Sequence, residues 1–150
     1  MKTLVLYYSF GGTTRRLAEA IARSVGADLA EIRSAVPLET REDVSRLIEA
    51  RKKFEILPLE KDPADYDLIF LGSPVWAFQL AAPLKSFLIQ KKIEKKKVAL
   101  FCTYRLFPGL ALWNLSRALR GNKILAKTAF KSDSTEQAAE IWAKETFSKA

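Results

Sequence analysis

Leu4-Val5-Leu6-Tyr7-Tyr8 runs directly into Ser9-Phe10-Gly11-Gly12-Thr13-Thr14, and that loop into Arg15-Arg16-Leu17-Ala18. A short β-branched and aromatic run ends in a Gly pair, and Leu17, Ala18, Ile21 and Val25 then follow at helical spacing. This pattern reads as a buried strand feeding a helix. The turn between them concentrates hydrogen-bonding groups. Ser9, Thr13 and Thr14 offer hydroxyls, and Gly11 and Gly12 let the backbone turn sharply and approach a ligand. The unsatisfied N–H groups of the helix start face the same space. That combination is a phosphate site in outline.

Two common phosphate loops do not fit. The nucleoside-triphosphate loop requires a Lys-Ser/Thr pair after a spacer, and the dinucleotide loop requires G-x-G-x-x-G; neither occurs here. A hydroxyl-rich turn without lysine suits a terminal monophosphate. Ser9 to Thr14 resembles the hydroxyl-x-hydroxyl-Gly-x-Thr loop of the flavodoxin family, which holds the phosphate of flavin mononucleotide (FMN). Gly11 departs from that pattern, replacing a frequent second hydroxyl with a backbone N–H.

Farther along, Gly26 stands at a helix C-terminus and Asp28–Arg33 is a weakly alternating segment that suits a sheet edge. Thr40, Glu42 and Asp43 favour a helix start, and Val44, Leu47, Ile48 and Arg51 predict a helix over about 41–53. Pro58 and Pro63 bracket a loop. Asp67–Gly72 is then a second strongly buried strand, whose continuous apolar run signals a parallel sheet covered on both faces. Gly72 to Pro83 reads as a loop rich in aromatics and prolines at that strand's carboxyl end, where open α/β sheets bind ligands. Pro83 fits the first turn of the next helix. Gly72, Ser73, Pro74, Trp76, Pro83, Phe87 and Leu88 match a second flavodoxin-like motif. The resemblance implies that Pro74, Val75, Trp76 and Ala77 line the isoalloxazine ring.

The cluster Lys91, Lys92, Lys95, Lys96 and Lys97 reads as a solvated helix end whose cations complement the helix dipole. Val98–Cys102 is the next buried strand. By the resemblance, Thr103, Tyr104 and Arg105 in the following loop close the other side of the flavin. Tyr104 takes the place of the glycines usual there, and Arg105 would favour an anionic reduced ring. Leu112, Leu115 and Leu119 line a helix face, and Gly121 ends that helix. Ile124–Phe130 is the fifth strand. Ser134 with Gln137 reads as a capping box opening a last helix with Ala138, Ile141 and Trp142 on it. Five strands alternating with helices give a three-layer, doubly wound α/β fold with right-handed crossovers. The flavodoxin resemblance adds the strand order 2-1-3-4-5.

The 150 residues suit a single domain spanning 1–150. There is no histidine and one cysteine, Cys102, which excludes Ser-His-Asp and Cys-His catalysis, histidine-held metals and Cys-x-x-Cys redox chemistry. No catalytic side chain and no metal ligand set is therefore assigned, and redox work falls to a bound organic cofactor. The N-terminal apolar run stops at Ser9 without a cleavage pattern, and no apolar stretch reaches membrane-spanning length, so no membrane insertion and a cytoplasmic location are expected. The first reading is an FMN-binding protein that passes electrons between a redox donor and acceptor. An NAD(P)H-dependent, quinone-type flavin reductase is the alternative, because carrier flavodoxins are often acidic and this chain carries +8. A third reading is a flavin-free basic module for nucleic acid or an acidic protein. Nucleic acid is disfavoured because the aromatics do not interleave with the lysines.

Overall fold

Strands that are apolar on both faces need cover on both, and the fold supplies it. The computed structural model describes residues 1–49 and 54–150. In chain order the elements are β1 (Thr3–Tyr8), α1 (Thr13–Val25), β2 (Asp28–Ile32), α2 (Arg41–Glu49), β3 (Leu68–Trp76), β4 (Gln79–Leu80), α3 (Ala82–Gln90), β5 (Lys97–Tyr104), α4 (Ala111–Ala118), β6 (Lys123–Lys131) and α5 (Glu136–Ser148). The sheet order is β2-β1-β3-β5-β6, all parallel, with the two-residue β4 pairing antiparallel to β3. Without β4, this is the order the resemblance implies.

Alternation along each strand divides the core. Leu4, Leu6, Ile69, Leu71, Leu100 and Cys102 face the side covered by α3 and α4. Val5, Tyr7, Phe70, Ala99 and Phe101 face α1 and α5. The edge strand β2 has the mixed burial its weak alternation predicts. Gly26, at φ 64°, closes α1 in the left-handed region.

The region read as a loop after residue 72 is mostly strand. β3 continues to Trp76, turns through Ala77 (φ 48°) and Phe78 (φ 65°), and returns as β4. Two non-glycine residues at positive φ give the turn type that matches strand twist, and its long-range partners hold it there. The last helix is capped one residue later than expected: Thr135, not Ser134, accepts the Ala138 N–H at 3.1 Å. Of the three residues expected on its apolar face, only Trp142 packs on the core. Ala138 and Ile141 are exposed, and Ala139, Ala143 and Thr146 take the inner positions.

The expected continuation of α2 to residue 53, with Arg51 on it, lies outside the described residues. The lysine cluster is not one helix end. Lys91 follows α3 and pairs with Asp62 at 3.0 Å, Lys92 pairs with Glu94, Lys96 donates to Ala64 O, and Lys97 opens β5. Beside it, Asn122 joins three segments: Oδ1 accepts the Lys96 N–H at 2.9 Å, and Nδ2 donates to Ile93 O and Leu119 O. No helix among the described residues is long and apolar enough to cross a membrane.

Candidate flavin site at the carboxyl ends of the strands

Parallel strands β1, β3 and β5 end side by side, so the loops leaving them meet. In the first loop Gly11 (φ 80°) and Gly12 (φ 94°) are both left-handed, and a Cβ on either would meet only open space. These glycines are required by backbone conformation and leave the space beside the turn open. α1 then begins with no side-chain cap on Gly12 and no acidic residue in its first turn. A positive helix end lined with N–H groups and free of carboxylates suits an anion.

The three loop hydroxyls have different surroundings. Ser9 Oγ accepts the Arg15 N–H at 3.1 Å, which leaves its own proton to donate outward. Thr14 is buried, and its hydroxyl lies 2.8 Å from that of buried Thr103. Thr13, half-buried at the first position of α1, has no hydroxyl partner among the described residues. Ser9 and Thr13 are therefore the hydroxyls presented to a ligand, and Thr14 serves as a brace. This differs from the expectation that all three would donate outward, because the register of β3 with β5 brings Thr103 over α1.

Arg15 is directed away from the loop. Its guanidinium pairs with Glu31, which Arg33 also approaches at 3.5 Å, and Glu31 holds the Arg15 pKa above its ordinary value. Glu31 is thereby paired without a counter-cation entering the first loop.

Trp76 is half-buried among aromatic edges, with ring centres 5.6 Å from Tyr8, 5.6 Å from Phe10 and 6.1 Å from Phe54. Phe10 thus joins the first loop to the second as Thr14 joins it to the third. Pro74 is buried in β3 opposite Thr103, and Val75 is half-buried opposite Leu80. Ala77 is exposed in the turn. Tyr104 is half-exposed, with its carbonyl accepting the Ser132 N–H at 2.7 Å, and Arg105 is exposed. Thr103 does not face outward as a pocket-closing residue should. Ser73 supports the turn from below, since its buried Oγ accepts the Ala81 N–H and donates to Pro74 O.

A family model described as flavodoxin matches residues 2–108. The chain belongs to the flavodoxin family. Among solved structures, this flavodoxin-family chain is similar to a flavoprotein from Lactobacillus acidophilus in complex with FMN. The two are 30% identical, with a TM-score of 0.71 over 85% of this chain and 92% of that one. It is likewise similar to the apo-form of the flavoprotein from Lactobacillus acidophilus, at 31% identity and a TM-score of 0.64, covering 93% and 96% of the two chains. A sequence relative is the "NAD(P)H dehydrogenase (quinone)" of Archaeoglobus fulgidus, 27% identical over an alignment of 114 residues that covers 67% of this chain. The match spans 60% of that relative's length.

Tyr8, Phe54 and Phe78 also stand in the strand-end region of this flavodoxin-family protein, and Gly109 packs against Phe78 there. Phe78 had a readable signal, an aromatic in the aromatic-rich stretch that follows the strand. Phe54 had none. A cleft of about 360 Å³ lined by Ile56, Pro58, Asp62, Phe87 and Lys91 shares no residue with the strand-end loops.

Cys102 supplies no reactive thiol. It is fully buried, and desolvation pushes its pKa up to about 12. A thiol reagent at pH 8 is expected to leave the native protein unlabelled and to modify it only on unfolding. Rapid native labelling, read by mass, would contradict this placement.

Proposed function

We propose that this flavodoxin-family protein binds FMN in the strand-end loops and works as a flavin redox protein. The phosphate would be held by Ser9, Thr13 and the backbone N–H groups of Gly11 to Thr14, with Thr14 bracing the loop from inside. Phe10, Pro74, Val75, Trp76 and Ala77 would form one wall for the ring, and Tyr104 and Arg105 the other. The observation that carries this reading is the donor set of the first loop: two hydroxyls with a proton left to donate and a carboxylate-free helix start around an open glycine turn. That chemistry fits a phosphate dianion without a lysine.

Bound flavin would supply the electron chemistry, and the protein supplies position and electrostatics. Trp76, held edge-on by Tyr8 and Phe10, gives an apolar surface that excludes water from one side of the pocket. Arg105 gives an exposed positive charge at the rim. The finer reading is an electron carrier with a protein donor and acceptor. A reductase taking electrons from NAD(P)H to a quinone is the second reading, supported by the name of the Archaeoglobus fulgidus relative and by the chain's net charge of +8.

The deciding experiment is titration of the apoprotein with FMN, followed by NADH and NADPH without air. Saturable quenching of flavin fluorescence in the micromolar range or below is expected. Bleaching of the bound flavin by either nucleotide assigns a reductase, and a yellow protein inert to both assigns a carrier. Absence of FMN binding removes the proposal and leaves the flavin-free basic module.

A further inference from the structure

Residues 106–113 read Leu-Phe-Pro-Gly-Leu-Ala-Leu-Trp, eight positions whose only polar side-chain group is the Trp113 indole N–H. Such a run ordinarily enters a core, yet Leu106 is 81% exposed, Phe107 64%, Leu110 54% and Trp113 53%. Phe78, at the tip of the neighbouring hairpin, is 59% exposed. These side chains form one surface. The Leu110 N–H donates to Phe78 O at 2.7 Å, and the Phe78 and Phe107 ring centres are 6.4 Å apart. Gly109 packs so closely that a Cβ there would fall 2.4 Å from Phe78 O, so the two loop tips are stapled together.

Basic side chains flank this apolar tip: Lys85 donates to Gln79 Oε1 in the hairpin that carries Phe78, and Lys131 stands opposite Tyr104 at the carboxyl ends of β5 and β6. Arg105 immediately precedes the apolar run, and the Arg117 guanidinium lies 4.9 Å from the centre of the Trp113 ring. Exposed Trp, Phe and Leu with flanking arginines is the composition that seats a protein in a bilayer interface.

We propose that this tip docks on an anionic bilayer surface, with Phe78, Leu106, Phe107, Leu110 and Trp113 entering the boundary between headgroups and acyl chains. The protein lies on the membrane and does not span it. Pro108 has no N–H and that of Leu110 is already bonded to Phe78 O, so neither position has a donor to desolvate on insertion.

Other occupants fit less well. A second copy would set the flanking cations of two tips, Lys85, Arg105, Arg117 and Lys131, against one another. Single-stranded nucleic acid would stack on the aromatics but gain nothing from the two leucines, one of which is the most exposed residue of the tip. An acidic protein would need about one hydrogen bond per 100–200 Å² of interface, and residues 106–113 offer a single side-chain donor, the Trp113 indole N–H. Fluid lipid requires none. The docking rests on these residues and not on a bound flavin.

The test is co-sedimentation of the purified full chain with vesicles of phosphatidylcholine containing phosphatidylglycerol. Binding is expected at low salt, weakened roughly tenfold or more on pure phosphatidylcholine and by added salt. Tryptophan emission should shift to shorter wavelength on binding, and Trp113→Phe should abolish the shift. Leu106→Ser with Phe107→Ser should weaken binding roughly tenfold or more at an unchanged unfolding temperature, because both side chains are exposed. No binding to anionic vesicles at low salt would overturn the proposal. So would binding that the double substitution leaves intact, which is diffuse charge attraction alone. Retention on immobilised polyglutamate without vesicle binding would overturn it in favour of an acidic protein.

Discussion

Replacing Ser9 and Thr13 together by alanine is expected to weaken FMN binding by about a hundredfold to ten-thousandfold while changing riboflavin binding by about twofold at most. Each hydroxyl would donate to an anionic oxygen, and hydrogen bonds to charged groups contribute about 1.5–3 kcal/mol each. Two of them convert to about two to four decades of affinity. Thr13→Ala alone should cost about tenfold to a hundredfold. Ser9→Ala has an added consequence, because it strips the Arg15 N–H of the acceptor 3.1 Å away and loosens the first turn of α1. Riboflavin has the same ring and no phosphate, so it separates loss of the phosphate site from loss of the pocket. Fluorescence titration of both ligands reads the ratio. Equal loss for FMN and riboflavin would show that the loop supports the ring and does not grip a phosphate.

Gly72→Ala is expected to destabilise the protein by about 3 kcal/mol, lowering the unfolding temperature by roughly 6–12 °C. Glycine in a central strand is ordinarily a weakness. Here Gly72 pairs with Phe101 across the β3–β5 ladder, and a Cβ would lie 2.1 Å from the tip of the Phe101 ring. The ring has little room to withdraw. Phe101 is fully buried, with ring centres 6.3 Å from Phe130 and 6.1 Å from Trp142, and Trp142 also abuts Phe70 at 5.6 Å. Adding Phe101→Leu to the Gly72→Ala variant should return part of the stability, since the smaller side chain vacates the space the methyl needs. Thermal unfolding of the three variants tests this. A shift below about 2 °C in Gly72→Ala would mean that the cluster yields easily and that the glycine is not required by packing.

The same glycine shows where sequence reading stops. As part of Gly72-Ser73-Pro74-Val75-Trp76 it resembles a flavodoxin motif, and it reads as the last residue of a strand and the start of a loop. In the structure it is a strand residue that makes room for a ring 29 positions away. Its neighbours Val75 and Trp76 are also strand residues, because Leu80 and Gln79 return to pair with them. The composition of Pro74 to Pro83 favours a loop, and antiparallel pairing overrides that preference.

Local pattern was sufficient for much else. Strands buried on both faces appear as unbroken apolar runs, so β1, β3 and β5 were legible, as was the glycine turn into α1. The cap of α5 was legible only to within one residue, since Ser134 and Thr135 both have a hydroxyl and only the helix's entry geometry selects Thr135.

The sequence by itself determined the alternation of strands and helices, the parallel sheet with two covered faces, the glycine loop at the first helix and the flavodoxin resemblance. All of these follow from burial periodicity and backbone preference within a few residues of one another. Tertiary structure alone decided that Thr14 turns inward to Thr103, that Asn122 ties Lys96 to Ile93, and that Phe78 is stapled to Leu110 with the apolar tip left exposed. Those contacts join side chains and backbone groups 26 to 89 positions apart. Sheet register and layer packing bring such groups together, and neither leaves a periodic trace in the residues concerned.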